Sequence, residues 1–352
     1  MPERLGGGAL SPCAYIRLLL PLDHPAIGAD WDVVVADARQ ALSYRADIVA
    51  TQRYAVPDPA AAEALASHCR ATGARLVYDL DDDLLNIPRA HPEAALLRPR
   101  AKTVARLVRS ADALFVSTEA LAARVAAIRP DSVVVPNGLD ERLWLPPTPR
   151  PVARGPVRLL CMGTATHDGD FALVMPALDR LAAQFGDRVE IDVLGVTARG
   201  DLPRWARRPT LTVNGAASYP GFVNWITGQP AWDIGIMPLA DTPFNRCKSS
   251  IKTLDYAALG LAMLASDLAP YRGSLADGAG GLLVANNETA WFAALSRLIR
   301  DPPMRAQLAA GAHAAFAATG TLEAQAAARR AAWLGMLGER EAKVPANRGE
   351  LV

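Results

Sequence analysis

The sequence predicts an α/β fold in which two doubly wound domains face each other across a cleft. Three observations support this. Short apolar runs alternate with segments of helical period along most of the 352 residues, the pattern that builds parallel sheets with helices on both faces. A proline-rich run, Pro146-Pro147-Thr148-Pro149-Arg150-Pro151, interrupts the alternation and makes the best domain boundary. Residues 232–267 then read as one complete strand–loop–helix–strand unit. The first domain is therefore assigned to residues 1–145, the second to 146–322, and a terminal helix with a charged tail to 323–352.

Composition narrows the function. Charges nearly balance, at a formal +1, without the basic excess of a nucleic-acid binder, so no nucleic-acid partner is expected. Cys13, Cys69, Cys161 and Cys247 are scattered and form no CxxC pair, which fits a reducing cytoplasm better than a disulfide framework or a zinc site. No apolar run reaches the length of a membrane span; Leu18-Leu19-Leu20-Pro21-Leu22 is short and broken by proline.

In the first domain, residues 1–12 read as a loose tail, because no strand precedes Gly6-Gly7-Gly8. Residues 14–20, 31–36 and 47–50 are the first three expected strands. Gln52-Arg53-Tyr54 follows the third, at the strand end where ligands gather in parallel sheets. Arg53 is thus either an acceptor-side contact or a surface arginine. A helix over 59–73 leads to a strand over 75–79, which runs into Leu80-Asp81-Asp82-Asp83. Asp79, Asp81, Asp82 and Asp83 repel one another, so a cation, a basic neighbour, a raised pKa or solvent must offset them. A divalent-metal site, a phosphatase nucleophile and a carboxylate wall lining an interdomain cleft all suit that cluster, as does plain helix capping by Asp82 or Asp83. Arg98, Arg100, Lys102, Arg106 and Arg109 give the helix over 99–110 a basic face, either solvated or turned to anionic lipid or a phosphorylated acceptor. A strand and cap over 111–118, a helix over 119–128 and a strand over 132–135 complete the domain, and Asn137-Gly138 supplies the turn that ends it.

The second domain opens with a strand over 157–162. Gly163 beyond its end allows a ligand close to the backbone, and Thr164, Thr166 and the amides leading into a helix over 171–183 suit a phosphate. Strands follow over 189–194, 211–213 and 233–239. Ser249 or Ser250 is expected to cap the next helix. Ile251, Leu254, Ala258 and Leu261 form its buried stripe, Gly260 stops it, and 261–265 is the next strand. Tyr271-Arg272 lies in a loop, 279–284 is a turn and strand, and 291–299, 302–317 and 323–337 are helices.

Lys248, Lys252 and Asp255 share one helix face. A lysine in the first turn opposes the helix dipole, at roughly 0.3–1 kcal/mol. A docked anion would reverse that penalty, since each charged hydrogen bond contributes about 1.5–3 kcal/mol and the free amides already point outward. The alternative is a solvated face with a Lys252–Asp255 ion pair. Asp255, one turn deeper, can accept hydrogen bonds from sugar hydroxyls.

This stretch resembles the nucleotide-sugar site of GT-B glycosyltransferases, specifically the group 1 (family four) retaining enzymes, whose two domains are Rossmann-like. That family carries two glutamates with seven residues between them, the second five residues before a glycine. Asp255 stands five before Gly260 and matches the second acid in place and charge; Cys247 stands at the position of the first. Phe244-Asn245-Arg246-Cys247-Lys248-Ser249 followed by Ile251-Lys252-Thr253-Leu254-Asp255-Tyr256 looks like a subgroup with a lysine-rich loop there, and Pro136-Asn137-Gly138 is similar to the family's interdomain turn. The resemblance spans residues 47–312, most strongly in the second half. It implies an NDP-sugar donor on the second domain, with the nucleobase near 219–225. Lys248, Lys252, the Ser249 and Ser250 amides and the Gly163–Thr164 loop would hold the diphosphate. His167 would donate to a phosphate oxygen or a sugar hydroxyl. Asp81 and Asp82 would line the cleft, with Arg53 and Asp79 on the acceptor side. The 323–337 helix would brace the first domain. No metal or other cofactor is implied. The expected activity is retaining transfer to a glycan or lipid-linked acceptor in cell-surface polysaccharide or glycoconjugate synthesis, in the cytoplasm with possible contact to the inner membrane surface. The alternatives are a catalytically inactive GT-B-like glycan-binding or scaffold module, and an aspartate-dependent phosphatase.

Overall fold

The computed structural model describes residues 1–144, 155–275 and 277–337. The expected proline connector over 146–151 and the charged tail over 339–352 lie outside the described residues. Two parallel sheets carry the chain. The first contains β1 (Ile48–Gln52), β2 (Arg75–Leu80), β3 (Ala113–Val116) and β4 (Val133–Val134), in the order β1-β2-β3-β4. The second contains β5 (Val157–Met162), β6 (Val189–Leu194), β7 (Ala206–Arg207), β8 (Ile234–Met237), β9 (Ala262–Ser266) and β10 (Gly281–Val284), in the order β10-β9-β8-β5-β6-β7. The chain builds outward from β5 through β6 and β7, then returns to the other side of β5 for β8. The reversal between β5 and β8 creates a crevice at their carboxyl ends, the place where open α/β sheets bind ligands.

The local sequence explains these elements. Strands β3, β8 and β9 are buried along their whole length, as uninterrupted apolar runs covered by helices on both faces require. The Pro59–Thr72 helix starts where the Asp58 carboxylate accepts from Ala61 N at 2.8 Å, and it ends at Gly73 with φ +78°. Gly260, at φ +72°, ends the Ile251–Ala258 helix in the same left-handed conformation.

Five expectations fail. Residues 14–20 are helical: Pro12–Ala14, a π turn over Tyr15–Leu19 and Leu20–Asp23 run end to end. The Ser11 hydroxyl caps them by accepting from Ala14 N at 3.1 Å, and Ala14 and Leu18 share the buried face with Arg17. Residues 31–36 form no strand; Val33, Val34 and Val35 are exposed, so β propensity found no sheet edge to join. Residues 211–213 begin a helix, because the Thr212 hydroxyl accepts from Gly215 N at 3.1 Å; the strand lies earlier, at β7. Residues 1–12 are packed at their two ends and exposed between: Ser11 N donates to Glu3 O at 3.0 Å, and Glu3 is 7 % exposed. Tyr271 and Arg272 fall in the short Ala269–Arg272 helix.

Two devices join the domains. The Leu322–Leu334 helix returns to the first sheet, where Trp333 packs edge-on against Phe115 with ring centroids 5.0 Å apart. Arg329 donates to Pro136 O, and Arg330 binds both carboxylate oxygens of Asp30 at 2.7 Å. From the second domain, Phe244 and Cys247 insert into the hydrophobic core of the first, and the Thr118 hydroxyl donates to Cys247 O at 2.9 Å.

Arg17 sits beneath this junction, 2 % exposed. Its Nε and Nη2 donate to the two Asp79 carboxylate oxygens at 2.9 and 2.7 Å, and Nη1 donates to Val135 O at 2.6 Å and Asn137 Oδ1 at 2.9 Å. Burial pushes the Asp79 carboxyl above its ordinary pKa, and Arg17 opposes that shift. Arg17→Met should therefore strand a buried carboxylate and destabilise the protein by about 3–5 kcal/mol, while Arg17→Met/Asp79→Leu regains most of the loss. Urea unfolding measures both; equal losses in the two variants would contradict this role.

Candidate functional site

The crevice at the ends of β5 and β8 gathers most of the residues singled out in the second domain. Beyond β5, Gly163 N donates to Leu194 O at 3.0 Å, which tucks the loop against β6. Beyond β8, the chain crosses to the first domain at 244–247 and comes back to start the Ile251–Ala258 helix. Tyr256 seats that helix on the sheet. Its hydroxyl accepts from Met162 N at 2.8 Å, and its ring lies where a Cβ at Gly235 would stand, 2.5 Å from Cδ2. Lys252, one turn before Tyr256, is thereby aimed at the Gly163 loop.

Lys252 is the least compensated cation in the crevice. Among the described residues it makes no hydrogen bond or ion pair. Burial pushes its ammonium down to about 8, with Lys248 contributing in the same direction. Burial pushes the Asp255 carboxyl up to about 7, with Lys252 opposing. A Cβ placed at Gly163 would lie 3.3 Å from Lys252 Nζ and 3.4 Å from His167 Cδ2. The missing side chain is what leaves space between those two groups.

His167 is oriented by a residue the sequence did not single out. Its Nδ1 lies 2.6 Å from Asp170 Oδ2, while Asp170 Oδ1 accepts from Ala240 N at 2.7 Å and from Asn245 Nδ2 at 3.3 Å. Asp170 so ties the loop after β5 to the loop after β8. The signal was present: a carboxylate three residues after the histidine, across the first turn of the Asp168–Phe185 helix. Burial, together with Lys252 and Lys248, pushes the imidazole down to about 4 against the pull of Asp170. A neutral ring that gives its Nδ1 proton to a carboxylate presents a bare Nε2. In that neutral form Nε2 can only accept, so the expected donation to a phosphate oxygen or a sugar hydroxyl needs the protonated ring.

The helix start differs from expectation too. Ser250 occupies the N-cap position, but neither serine side chain caps the helix. Ser249 Oγ accepts from Asn137 Nδ2 at 2.7 Å, which extends the chain Asp79–Arg17–Asn137 across the domain junction. The backbone N–H groups of Ser249, Ser250, Ile251 and Lys252 find no backbone acceptor among the described residues. They remain open at the positive end of the helix. Thr164 and Thr166 lie at the crevice mouth with their hydroxyls bonded to each other at 2.8 Å.

Across the crevice, every carboxylate of the aspartate cluster meets a cation, and Arg53 serves two of them, with Nη1 also 3.3 Å from Asp82 Oδ2. Asp79 is closed off by Arg17, which leaves it no acceptor-side role and no free oxygen for attack on a phosphate. Asp81 pairs with Arg53, and Asp83 with Arg124 at 2.8 Å. Arg53, expected as a contact for the acceptor, is mostly buried and holds Glu3 at 3.1 Å as well as Asp81. Its backbone is left-handed, at φ +42°, held by Tyr78 OH donating to its carbonyl at 2.9 Å and by its own N–H donating to Asp79 O at 3.1 Å. Asp82 alone faces the second domain, with Oδ1 3.5 Å from Lys248 Nζ. Lys248 also lies 5.0 Å from the centre of the Phe244 ring. Cys247, at the family's first acid position, is 5 % exposed in the first-domain core and contributes nothing to the crevice.

Lys252 should govern the His167 proton. Lys252→Ala removes the nearest charge that disfavours imidazolium, so the His167 pKa should rise; in the parent protein the ring should be neutral at pH 6 with its proton on Nδ1. Nitrogen-detected imidazole NMR reads both, and an unmoved pKa or a proton on Nε2 would sink this description.

No protein-family model matches the chain, and no curated protein matches it. Solved structures do. A sucrose-phosphate synthase from Thermosynechococcus elongatus superposes with a TM-score of 0.60 at 14% identity, over 85% of this chain and 75% of its own. HepE from Anabaena, solved with UDP and glucose, gives 0.59 at 14% over 86% and 80%. A glycosyltransferase from Rickettsia africae gives 0.60 at 12% over 86% and 80%. At these identities the likeness establishes architecture, and with it the expected fold: the chain has the GT-B fold of these glycosyltransferases.

Proposed function

We propose that the protein is a glycosyltransferase that moves a sugar from a nucleotide diphosphate onto an acceptor hydroxyl. The observation that carries this is the uncompensated Lys252 ammonium, facing the gap at Gly163 beside neutral His167 at the turning point of the second sheet. The fold supports a nucleotide-sugar donor, and HepE was solved with UDP-glucose, so UDP-sugars are the first donors to test.

The difficult step in glycosyl transfer is charge accumulation on the departing diphosphate. Lys252 and the open amides at 249–252 are fixed in advance, and with Lys248 they would strengthen as that charge grows. Lys248 would leave Asp82 to meet the diphosphate, and Asp82 Oδ1 would then accept from the incoming hydroxyl while Arg53 holds Oδ2. Asp255 would accept from ribose hydroxyls and His167 Nε2 from a sugar hydroxyl. Asp81 would act through Arg53, by holding it away from the acceptor. Retention at the anomeric carbon, independence of metal, a glycan or lipid-linked acceptor and a place in cell-surface polysaccharide synthesis belong to the same proposal. Support for metal independence comes from the aspartate cluster, where arginine or lysine already engages every carboxylate. No helix among the described residues is long and apolar enough to cross a membrane, so any membrane contact would be peripheral, and the basic Ala101–Ser110 helix is the surface suited to it.

Lys252→Ala should lower kcat/KM for a UDP-sugar by about 10²–10³, with little change in thermal midpoint. In the parent enzyme kcat/KM should be bell-shaped in pH. It rises as the Asp255 carboxyl ionises near 7 and falls as the Lys252 ammonium is lost near 8, the two limbs belonging to the coupled pair. Asp255→Asn should abolish the rising limb. Undiminished turnover in Lys252→Ala, or no transfer or hydrolysis from any nucleotide sugar by the parent protein, would overturn the proposal; the second outcome favours an inactive glycan-binding module.

A further inference from the structure

A groove of about 730 Å³ runs along the outside of the second domain, between the Asp168–Phe185 and Glu288–Arg300 helices. It lies on helix flanks, away from the carboxyl ends of the strands. Arg180, Arg297 and Arg300 line it, with Phe292 as an apolar wall. Arg180 stacks on Phe292 with its guanidinium carbon 3.9 Å from the ring centre, and Arg300 lies 5.2 Å from the centre of Phe185. Such stacking occupies the flat face of a guanidinium and leaves its N–H edge available. Among the described residues Arg297 and Arg300 have no carboxylate partner, and Arg180 has only Glu288 at 3.8 Å. The one aspartate in the wall, Asp301, uses its carboxylate to accept from Met304 N at 2.9 Å.

The floor supplies an independent sign. Ser296 is 5 % exposed, and its hydroxyl has no hydrogen-bond partner although it lines the groove. Native proteins rarely bury a hydroxyl unpaired, because its lost hydration is not replaced. Three cations, an unsatisfied donor and an aromatic wall match one chemistry: a phosphate group carried on a small body that can lie against Phe292.

We propose that this groove is a second ligand site, for a soluble phosphate ester, in which Arg297, Arg300 and Arg180 bind the phosphate and the Ser296 hydroxyl completes its coordination. The site is independent of the cleft chemistry. Phenyl phosphate is the probe, titrated by calorimetry into Lys248→Ala/Lys252→Ala, which disables the cleft. Saturable millimolar or tighter binding is expected there. It should weaken more than about tenfold on adding Arg297→Gln/Arg300→Gln, and several-fold on adding Ser296→Ala, without loss of thermal midpoint. Inorganic phosphate should bind more weakly and benzyl alcohol not at all. Absence of binding in the cleft-disabled protein, or binding indifferent to the groove substitutions, overturns the proposal. So does sedimentation with phosphatidylglycerol vesicles that the arginine substitutions abolish while phenyl phosphate fails to bind, since that outcome assigns the face to a membrane.

Discussion

Two like charges brought together in a partly buried crevice form the constraint on which the rest of the structure depends. Lys252 lies in the first turn of the Ile251–Ala258 helix, whereas Lys248, expected on the same helix face, lies in the extended segment just before it, beside the positive end of the helix. Among the described residues Asp82, from the opposite domain, approaches Lys248, and the carboxylates of Asp170 and Asp255 face Lys252 without pairing with it. Burial, reinforced by the neighbouring lysine charge, pushes the Lys252 ammonium down to about 8 and the His167 imidazole down to about 4. A diphosphate beside Lys252 would reverse the lysine's shift, so its binding is linked to proton uptake.

Holding such a crevice open requires rigid walls. The second sheet supplies one through Tyr256, which clamps the lysine-bearing helix to β5 and β8. The first domain supplies the other through paired charges: Asp79 with Arg17, Asp81 with Arg53, Asp83 with Arg124. Those pairs leave Asp82 as the one carboxylate of the cluster turned across the cleft. The two walls are also tied together, by Asn137 on Ser249, by Cys247 in the first-domain core and by the returning terminal helix. GT-B architecture is usually described as two domains facing a gap. Here the gap has a bridge at one end, built from the stretch that carries Cys247.

Much of the fold was legible from period and punctuation. Nine of the ten strands lie where apolar runs and Gly, Pro or Asn boundaries put them; β7, two residues long, is the exception. Failures came where tertiary contacts outvote local pattern. Residues 14–20 carry an apolar run that suits a strand, yet Arg17 must reach Asp79, Val135 and Asn137 at once, and a helical segment delivers it. Val33, Val34 and Val35 have strand propensity without a neighbour. At the site, Lys252, Asp255 and Gly163 were legible because each is odd in its local setting: a cation at a positive helix end, an acid one turn deeper, a glycine after a buried strand. Asp170 was legible but passed over, three residues after His167; Arg17 and Asn137 were not, since their partners lie 62 and 112 residues away and only folding brings them together. Arg53 and Asp79 were read as outward-facing because a strand end looks open in sequence; the structure fills it with Glu3 and Asp81 around Arg53 and with Arg17 against Asp79.

The coupling of diphosphate binding to protonation can be measured without knowing sugar or acceptor. UDP titrated calorimetrically at pH 8, in buffers of different ionisation heat, gives the number of protons exchanged. Net uptake of about half a proton is expected, because Lys252 is half-charged near its pKa of about 8 and becomes fully charged beside the diphosphate. Binding with no proton uptake, or with release, would show that the crevice cations are not what meets the anion.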